Sequence, residues 1–204
     1  MQEFIMTKKQ NKLITIKTNT MKQKTFETLF NLKLIKNGQF TLKNGERTSY
    51  MVSYHKVKEK EVVNQILADL FLKKYYIYFN DSSTHIIGLA NSGTSLSLKI
   101  YKRLIKNNYD VTLTIINPKK LSLKMFEKAN TSHKYYLIDN AITSGKTLNS
   151  ILPQLKEKGI MPSGCFYIFD REENMPIVLN CEIFPIFTYS DITKLLTKKN
   201  KNYV

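Results

Sequence analysis

The chain alternates between short continuous apolar runs and stretches with apolar residues every three or four positions. The runs suit buried strands, and the spaced pattern suits amphipathic helices. Phe26, Leu29, Phe30 and Leu34 predict a helix over 25–35, stopped by Asn37-Gly38 as a C-cap. Phe40 to Lys43 predicts a short strand, Asn44-Gly45 a hairpin turn, and 48–55 the returning strand. Val62, Val63, Ile66 and Leu70 predict a helix over 59–72. Strands follow at 84–89 and 111–116, with a helix over 96–105 between them. Tyr135 to Ile138 is an apolar run ending in Asp139, and a helical pattern then runs to about Lys158. Gly159 ends that helix, and Pro162-Ser163-Gly164 turns the chain. Strands at 165–169 and 181–187 and a last helix over 191–196, capped by Ser190, complete the pattern.

Strands alternating with helices imply right-handed βαβ crossovers and a mostly parallel sheet, with a site at the carboxyl ends of the strands. Three polar loops fall there: Ala90 to Ser95, Asp139 to Thr147, and Asp170 to Glu173. The central one carries the most chemistry. A carboxylate, Asp139, stands beside the small-residue turn Thr143-Ser144-Gly145, which opens a helix. The free N–H groups of such a turn and the helix dipole hold phosphate, and the carboxylate holds hydroxyls. A phosphorylated sugar fits both. A turn of this kind also occurs in α/β proteins with no phosphate bound. Gly145-Lys146-Thr147 mimics the end of a Walker A loop, but Asn140 stands where that loop needs its first glycine.

The length, 204 residues, suits one domain over 21–204, with residues 1–20 read as a flexible, lysine-rich arm or start-site extension. No apolar run approaches a membrane span, and the N-terminus has no signal-peptide core, so a cytoplasmic location is expected. Cys165 and Cys181 read as reduced core residues within apparent strands. The net charge of +16 invites a nucleic-acid reading. Only Arg47, Arg103 and Arg171 are arginines, however, and sites built for polyanions favour the arginine fork. The lysine excess accompanies abundant Asn, Ile and Tyr, as an AT-rich coding sequence would give. Nucleic acid is therefore the weaker alternative, and a basic surface also suits a polyphosphate substrate. His55, His85 and His133 share no motif and read as structural or solvated.

Four segments together resemble one family. The apolar run, acidic residue and Thr143-Ser144-Gly145 turn resemble the phosphoribosyl-diphosphate motif of the type I phosphoribosyltransferases. Gln39 to Gly45, with Ser49-Tyr50, resembles the F-x-L-K-S-G-x-x-S-P-Y segment of orotate phosphoribosyltransferases. Phe169 to Glu173 resembles their D-R-Q-E segment, and Gly88 to Gly93 their diphosphate loop. The resemblance runs from about Thr25 to Leu196 and implies an α/β type I phosphoribosyltransferase fold with a small N-terminal hood. It implies transfer of ribose 5-phosphate from phosphoribosyl diphosphate to orotate, with Mg2+ held mainly by substrate near Asp139, in a homodimer. Asp139 and Asn140, with Ala141 between strand and turn, would meet the ribose. Thr143, Ser144, Gly145, Lys146 and Thr147 would cradle the 5-phosphate, and Asn91, Ser92 and Gly93 the diphosphate. Lys43, Tyr50, Met51, Thr143 and Arg171 would meet the base, Arg171 clamping its carboxylate.

Three features differ from the family pattern. Asn140 stands in place of the second acidic residue. The mobile-loop sequence R-K-x-x-K-x-H-G is replaced by Asn117 to Lys124, where Lys119, Lys120 and Lys124 are expected to supply the loop's catalytic charge. Ser92 takes a position where lysine or glycine is common. Two other readings stand beside the main one: a phosphoribosyltransferase for another base, and a non-catalytic nucleotide- or RNA-binding regulator.

Overall fold

The structure is a computed structural model that describes residues 20, 22–41, 45, 47–53, 60–80, 82–90, 93–118, 132–173 and 181–201, with side chains as far as Thr197. The arm 1–19, Lys43, Asn44, His55, Asn91, Ser92, Lys119, Lys120 and Lys124 lie outside the described residues. Backbone packing divides the chain into two compact units, Asn64–Ile192 and a second made of Met1–Val63 with Thr193–Val204.

The larger unit is built on a five-stranded parallel sheet. Its strands are β3 (Thr84–Leu89), β4 (Val111–Ile116), β5 (Lys134–Ile142), β6 (Pro162–Asp170) and β7 (Ile183–Thr188), in the order β4-β3-β5-β6-β7. The apolar run Tyr135 to Ile138 forms the middle strand and is buried throughout. A strand covered on both faces needs such a run, because neither parity meets water.

Each face has its own filling. Helix α4 (Lys146–Glu157) buries Leu148, Ile151, Leu152 and Leu155, spaced for one helical face. They pack with Ile87, Leu137, Cys165 and Tyr167 from the sheet. The alternate strand residues Tyr136 and Phe166 enter an aromatic cluster with Phe71, Tyr75, Tyr78, Phe79 and Phe184; the ring centroids of Phe71 and Phe166 are 5.0 Å apart. Successive strand residues point to opposite faces, which separates the two fillings. Pro185 lies in the edge strand β7, where a missing N–H is tolerated. Its carbonyl accepts bonds from Lys74 Nζ (2.7 Å) and the Tyr75 hydroxyl (2.5 Å).

In the smaller unit, helix α1 (22–31) buries Phe26 and Leu29. Strands β1 (Ile35–Thr41) and β2 (Arg47–Val52) form an antiparallel hairpin. The expected stop at Asn37-Gly38 is corrected. The helix ends earlier, where Lys33 takes a positive φ of 59°, and Asn37-Gly38 falls at the start of an irregularity inside β1.

Further boundaries differ from expectation. Helix α2 (Lys60–Tyr75) runs longer, turns Val62 outward, and passes into a 3-10 turn, Tyr76–Phe79. Its buried stripe is Val63, Leu67, Leu70 and Phe71. Strand β6 starts at Pro162 rather than after Gly164, since proline is acceptable as a strand's first residue. The last helix, α5 (Tyr189–Lys201), is capped by Thr188 instead of Ser190. Thr188 Oγ1 accepts the Asp191 N–H (3.1 Å), and the Asp191 carboxylate accepts the Thr188 N–H (2.9 Å), a reciprocal capping box. Strand β5 continues three residues past Asp139, because β6 offers partners as far as Asp170. Among the described residues, no helix is long and apolar enough to cross a membrane.

Candidate active site

The carboxyl ends of β3, β5 and β6 bring three of the sequence-predicted loops into one unit. Asp139 lies in register with Tyr167 of β6 and is half-buried. Its carboxylate accepts the N–H of Asn140 at 2.7 Å. Ala141 is exposed, and Ile142 ends the strand opposite Asp170. The hydroxyl of Tyr167 is pushed well up, first by burial and then by electrostatic repulsion from Cys165 and Asp139.

Thr143, Ser144 and Gly145 then bend the chain into α4. Gly145 is the N-cap at φ 66°, a left-handed conformation that glycine takes without steric cost. Among the described residues no side chain caps this helix, which leaves its first N–H groups uncapped beside the exposed Thr143, Ser144, Lys146 and Thr147. This is a cluster of donors at the positive end of a helix dipole.

Gly93 draws the β3 loop onto the same place. A Cβ on Gly93 would lie 2.7 Å from the carbonyl oxygens of both Leu89 and Ile138, and 3.0 Å from Cα of Asp139. Only a residue without a side chain lets the start of α3 (Thr94–Lys106) approach β5 so closely. The Gly93 N–H bonds to Leu89 O at 2.9 Å, and the Gly93 carbonyl accepts Ser97 Oγ at 2.8 Å.

The end of β6 reaches this place through its backbone. The Arg171 N–H donates to Ile142 O at 3.1 Å, immediately before the Thr143 turn. The Arg171 guanidinium pairs with Glu173 at 3.5 Å. Glu172, given no role by the sequence, has φ 54° and ties the segment down. Its carboxylate accepts the Ser190 N–H (2.8 Å) and hydroxyl (2.7 Å) at the start of α5, and its N–H donates to Asp170 (2.8 Å). The signal was weak because its partner lies far along the chain. The extra acid in Asp170-Arg171-Glu172-Glu173 was the only cue.

Asn140 is a second feature whose chemistry sequence could not supply. It is 7% exposed, and among the described residues neither its amide oxygen nor its amide nitrogen has a hydrogen-bond partner. Leaving such a group unsatisfied costs about 1–3 kcal/mol. The described residues hold no cluster of three His, Cys, Asp or Glu able to bind a metal by themselves. Of the residues expected at the base, Tyr50 is buried and Met51 half-buried in the hairpin of the smaller unit.

No protein-family model matches the chain. Among curated proteins, it is 23% identical over 174 residues to orotate phosphoribosyltransferase of Pyrococcus furiosus, spanning 82% of this chain and 91% of that one. Among solved structures, it is similar to orotate phosphoribosyltransferase of Francisella tularensis, with a TM-score of 0.67 and 20% identity over 84% of this chain and 89% of that one. It is similar also to that of Aeropyrum pernix, with a TM-score of 0.66 and 19% identity over 85% and 99% of the two chains. The chain has the type I phosphoribosyltransferase fold and resembles the orotate phosphoribosyltransferases as a divergent relative.

Proposed function

We propose that this chain is an orotate phosphoribosyltransferase-like enzyme of pyrimidine nucleotide synthesis. It transfers ribose 5-phosphate from phosphoribosyl diphosphate to orotate, giving orotidine 5′-monophosphate and diphosphate. The observation that carries this reading is the uncapped turn Thr143–Thr147 beside Asp139, with Gly93 packed against the Asp139 backbone. It supplies phosphate donors, a hydroxyl acceptor and a second loop within one site.

The N–H groups of the turn and the hydroxyls of Thr143, Ser144 and Thr147 bind the 5-phosphate, with Lys146 adding charge. Asp139 accepts hydrogen bonds from ribose hydroxyls. Its negative charge favours the cation that develops at the anomeric carbon as diphosphate leaves. Asn140 offers its amide, unpartnered among the described residues, to the same sugar. Gly93, with Asn91 and Ser92, binds diphosphate through the backbone, and Lys119, Lys120 and Lys124 supply the charge of the missing loop motif. Arg171 exchanges Glu173 for the orotate carboxylate, a bidentate pairing. The resemblance also assigns Lys43, Tyr50 and Met51 to the base. Most of the catalytic effect is then positioning and electrostatic stabilisation.

The oxygen donors at Asp139 and Asn140 fit Mg2+, which takes few protein ligands beside phosphates. When bound, Mg2+ neutralises the charge of the leaving diphosphate. We place the protein in the cytoplasm as a homodimer. A second reading, a nucleotide-binding protein without turnover, is favoured by the neutral Asn140. One assay separates them: purified protein with Mg2+, phosphoribosyl diphosphate and orotate. Loss of orotate absorbance with orotidine 5′-monophosphate formed supports the enzyme. Nucleotide binding with orotate unchanged supports the regulator.

A further inference from the structure

The chain has two cysteines, and the fold brings their sulfurs together. Cys165 lies on β6 and is fully buried. Cys181 precedes β7 and is 8% exposed. The Cys165 N–H donates to Glu182 O at 2.8 Å, and Cys165 stands in register with Ile183. That pairing brings Cys181, two residues before Ile183, close to Cys165. The sulfurs are 2.8 Å apart, closer than two unbonded sulfurs normally approach. Their neighbours are apolar, among them Leu137, Ile160 and Tyr167.

We propose that Cys165 and Cys181 form a covalent modification site: a reversible intrachain disulfide made by exchange with a small disulfide such as oxidised glutathione. Cys181, the more exposed of the two, attacks first as its thiolate. One oxidant sulfur joins Cys181, and the other leaves as a thiol carrying the Cys181 proton. Cys165 then attacks the Cys181 sulfur of this mixed disulfide. The second small thiol leaves with the Cys165 proton. Two protein thiols are oxidised and one small disulfide is reduced to two thiols. The order of attack agrees with the local chemistry. Burial pushes the Cys165 thiol up, and the hydrogen bond it gives draws Cys181 down. The closed loop spans 165–181 and contains the Asp170–Glu173 segment. This site does not depend on the proposed activity.

The test oxidises the full chain with excess oxidised glutathione, then blocks free thiols under denaturing conditions and measures intact mass. The wild type is expected to lose the mass of two hydrogens, with no glutathione retained and no alkylation. Cys165→Ser is expected to trap one glutathionyl group on Cys181, and Cys181→Ser to react much more slowly. The oxidised wild type is expected to melt higher, by roughly 5–10 °C, and to return to its starting value with reductant. Two alkylated thiols, stable glutathione adducts on the wild type, or only interchain disulfides would overturn the proposal. So would an intrachain disulfide that lowers the melting temperature, since the bond would then not fit the native packing.

Discussion

The ends of β5 and β6 lie side by side in the same sheet, yet the chain treats them in opposite ways. After β5, polar groups are left open. Thr143, Ser144 and Thr147 are exposed, and among the described residues no side chain caps α4 and the amide of Asn140 is unpartnered. After β6, polar groups are tied to one another. Arg171 pairs with Glu173, Glu172 holds Ser190, and Asp170 holds the Glu172 N–H. The first arrangement leaves hydrogen-bonding capacity to be met by a ligand, and the second meets it from within. Phosphate and ribose would therefore enter a preformed cradle. The base carboxylate would have to replace Glu173 on Arg171. A partly exposed pair of this kind is worth about 0–1 kcal/mol, so a bidentate carboxylate displaces it at small cost.

The largest effect is expected at the open half. Asp139→Ala is predicted to lower kcat by about a thousandfold or more, read as orotate consumption, since it removes both a hydroxyl acceptor and the charge facing the cation. Retained turnover would show that the β5 carboxylate is not part of the chemistry. Gly93→Ala comes next. Its Cβ meets two carbonyl oxygens at 2.7 Å, so a stability loss of about 1–3 kcal/mol is expected in denaturant melts, with weaker phosphoribosyl diphosphate binding.

At the tied half the effects are expected to be smaller and confined to the base. Arg171→Ala is predicted to raise the KM for orotate by about ten- to a hundredfold, leaving that for phosphoribosyl diphosphate near the wild type. An unchanged orotate response would remove the carboxylate clamp from the account. Glu172→Ala is expected to cost about 1 kcal/mol by removing the acceptor of the Ser190 N–H and hydroxyl in the first turn of α5, and to raise the orotate KM a fewfold. Glu172→Gln keeps an acceptor for Ser190 and should recover most of both.

A pH series on the same sheet, away from its carboxyl end, provides a control. His85 lies near the start of β3, bonded to Thr112 and Thr114, and its pKa is lowered to about 4 by burial and then by His133. The unfolded ring protonates near 6.5, so the folded state loses stability as pH falls from there towards 4 and no further from this group below that. Discounted for partial exposure, the loss is up to about 2 kcal/mol. Melting curves from neutral to acid pH should show it in the wild type, and His85→Gln should flatten it.

The parts of this fold legible in sequence were those set by local pattern. The runs Thr84–Leu89 and Val111–Ile116 are strands at those bounds, because apolar residues fill them and loop signals flank them. The β5 turn was legible because its aspartate, small residues and helix pattern are contiguous. What pairing partners decide was not legible. Strand β5 outruns Asp139 because β6 does, and Pro162 opens a strand because it lies beside Tyr135. The Glu172 cap, the unpartnered Asn140 and the contact of Cys165 with Cys181 depend on residues distant in sequence. Lys43, Lys119, Lys120 and Lys124 remain proposals from resemblance, outside the described residues.

The contrast between the two halves is tested most directly by calorimetric titration of phosphoribosyl diphosphate, with Mg2+ and without orotate, into the wild type and Asp139→Ala. A preformed cradle predicts saturable binding to the wild type in the absence of the base, and binding at least tenfold weaker in the variant. No binding until orotate is added, or equal affinity in the two proteins, would contradict it.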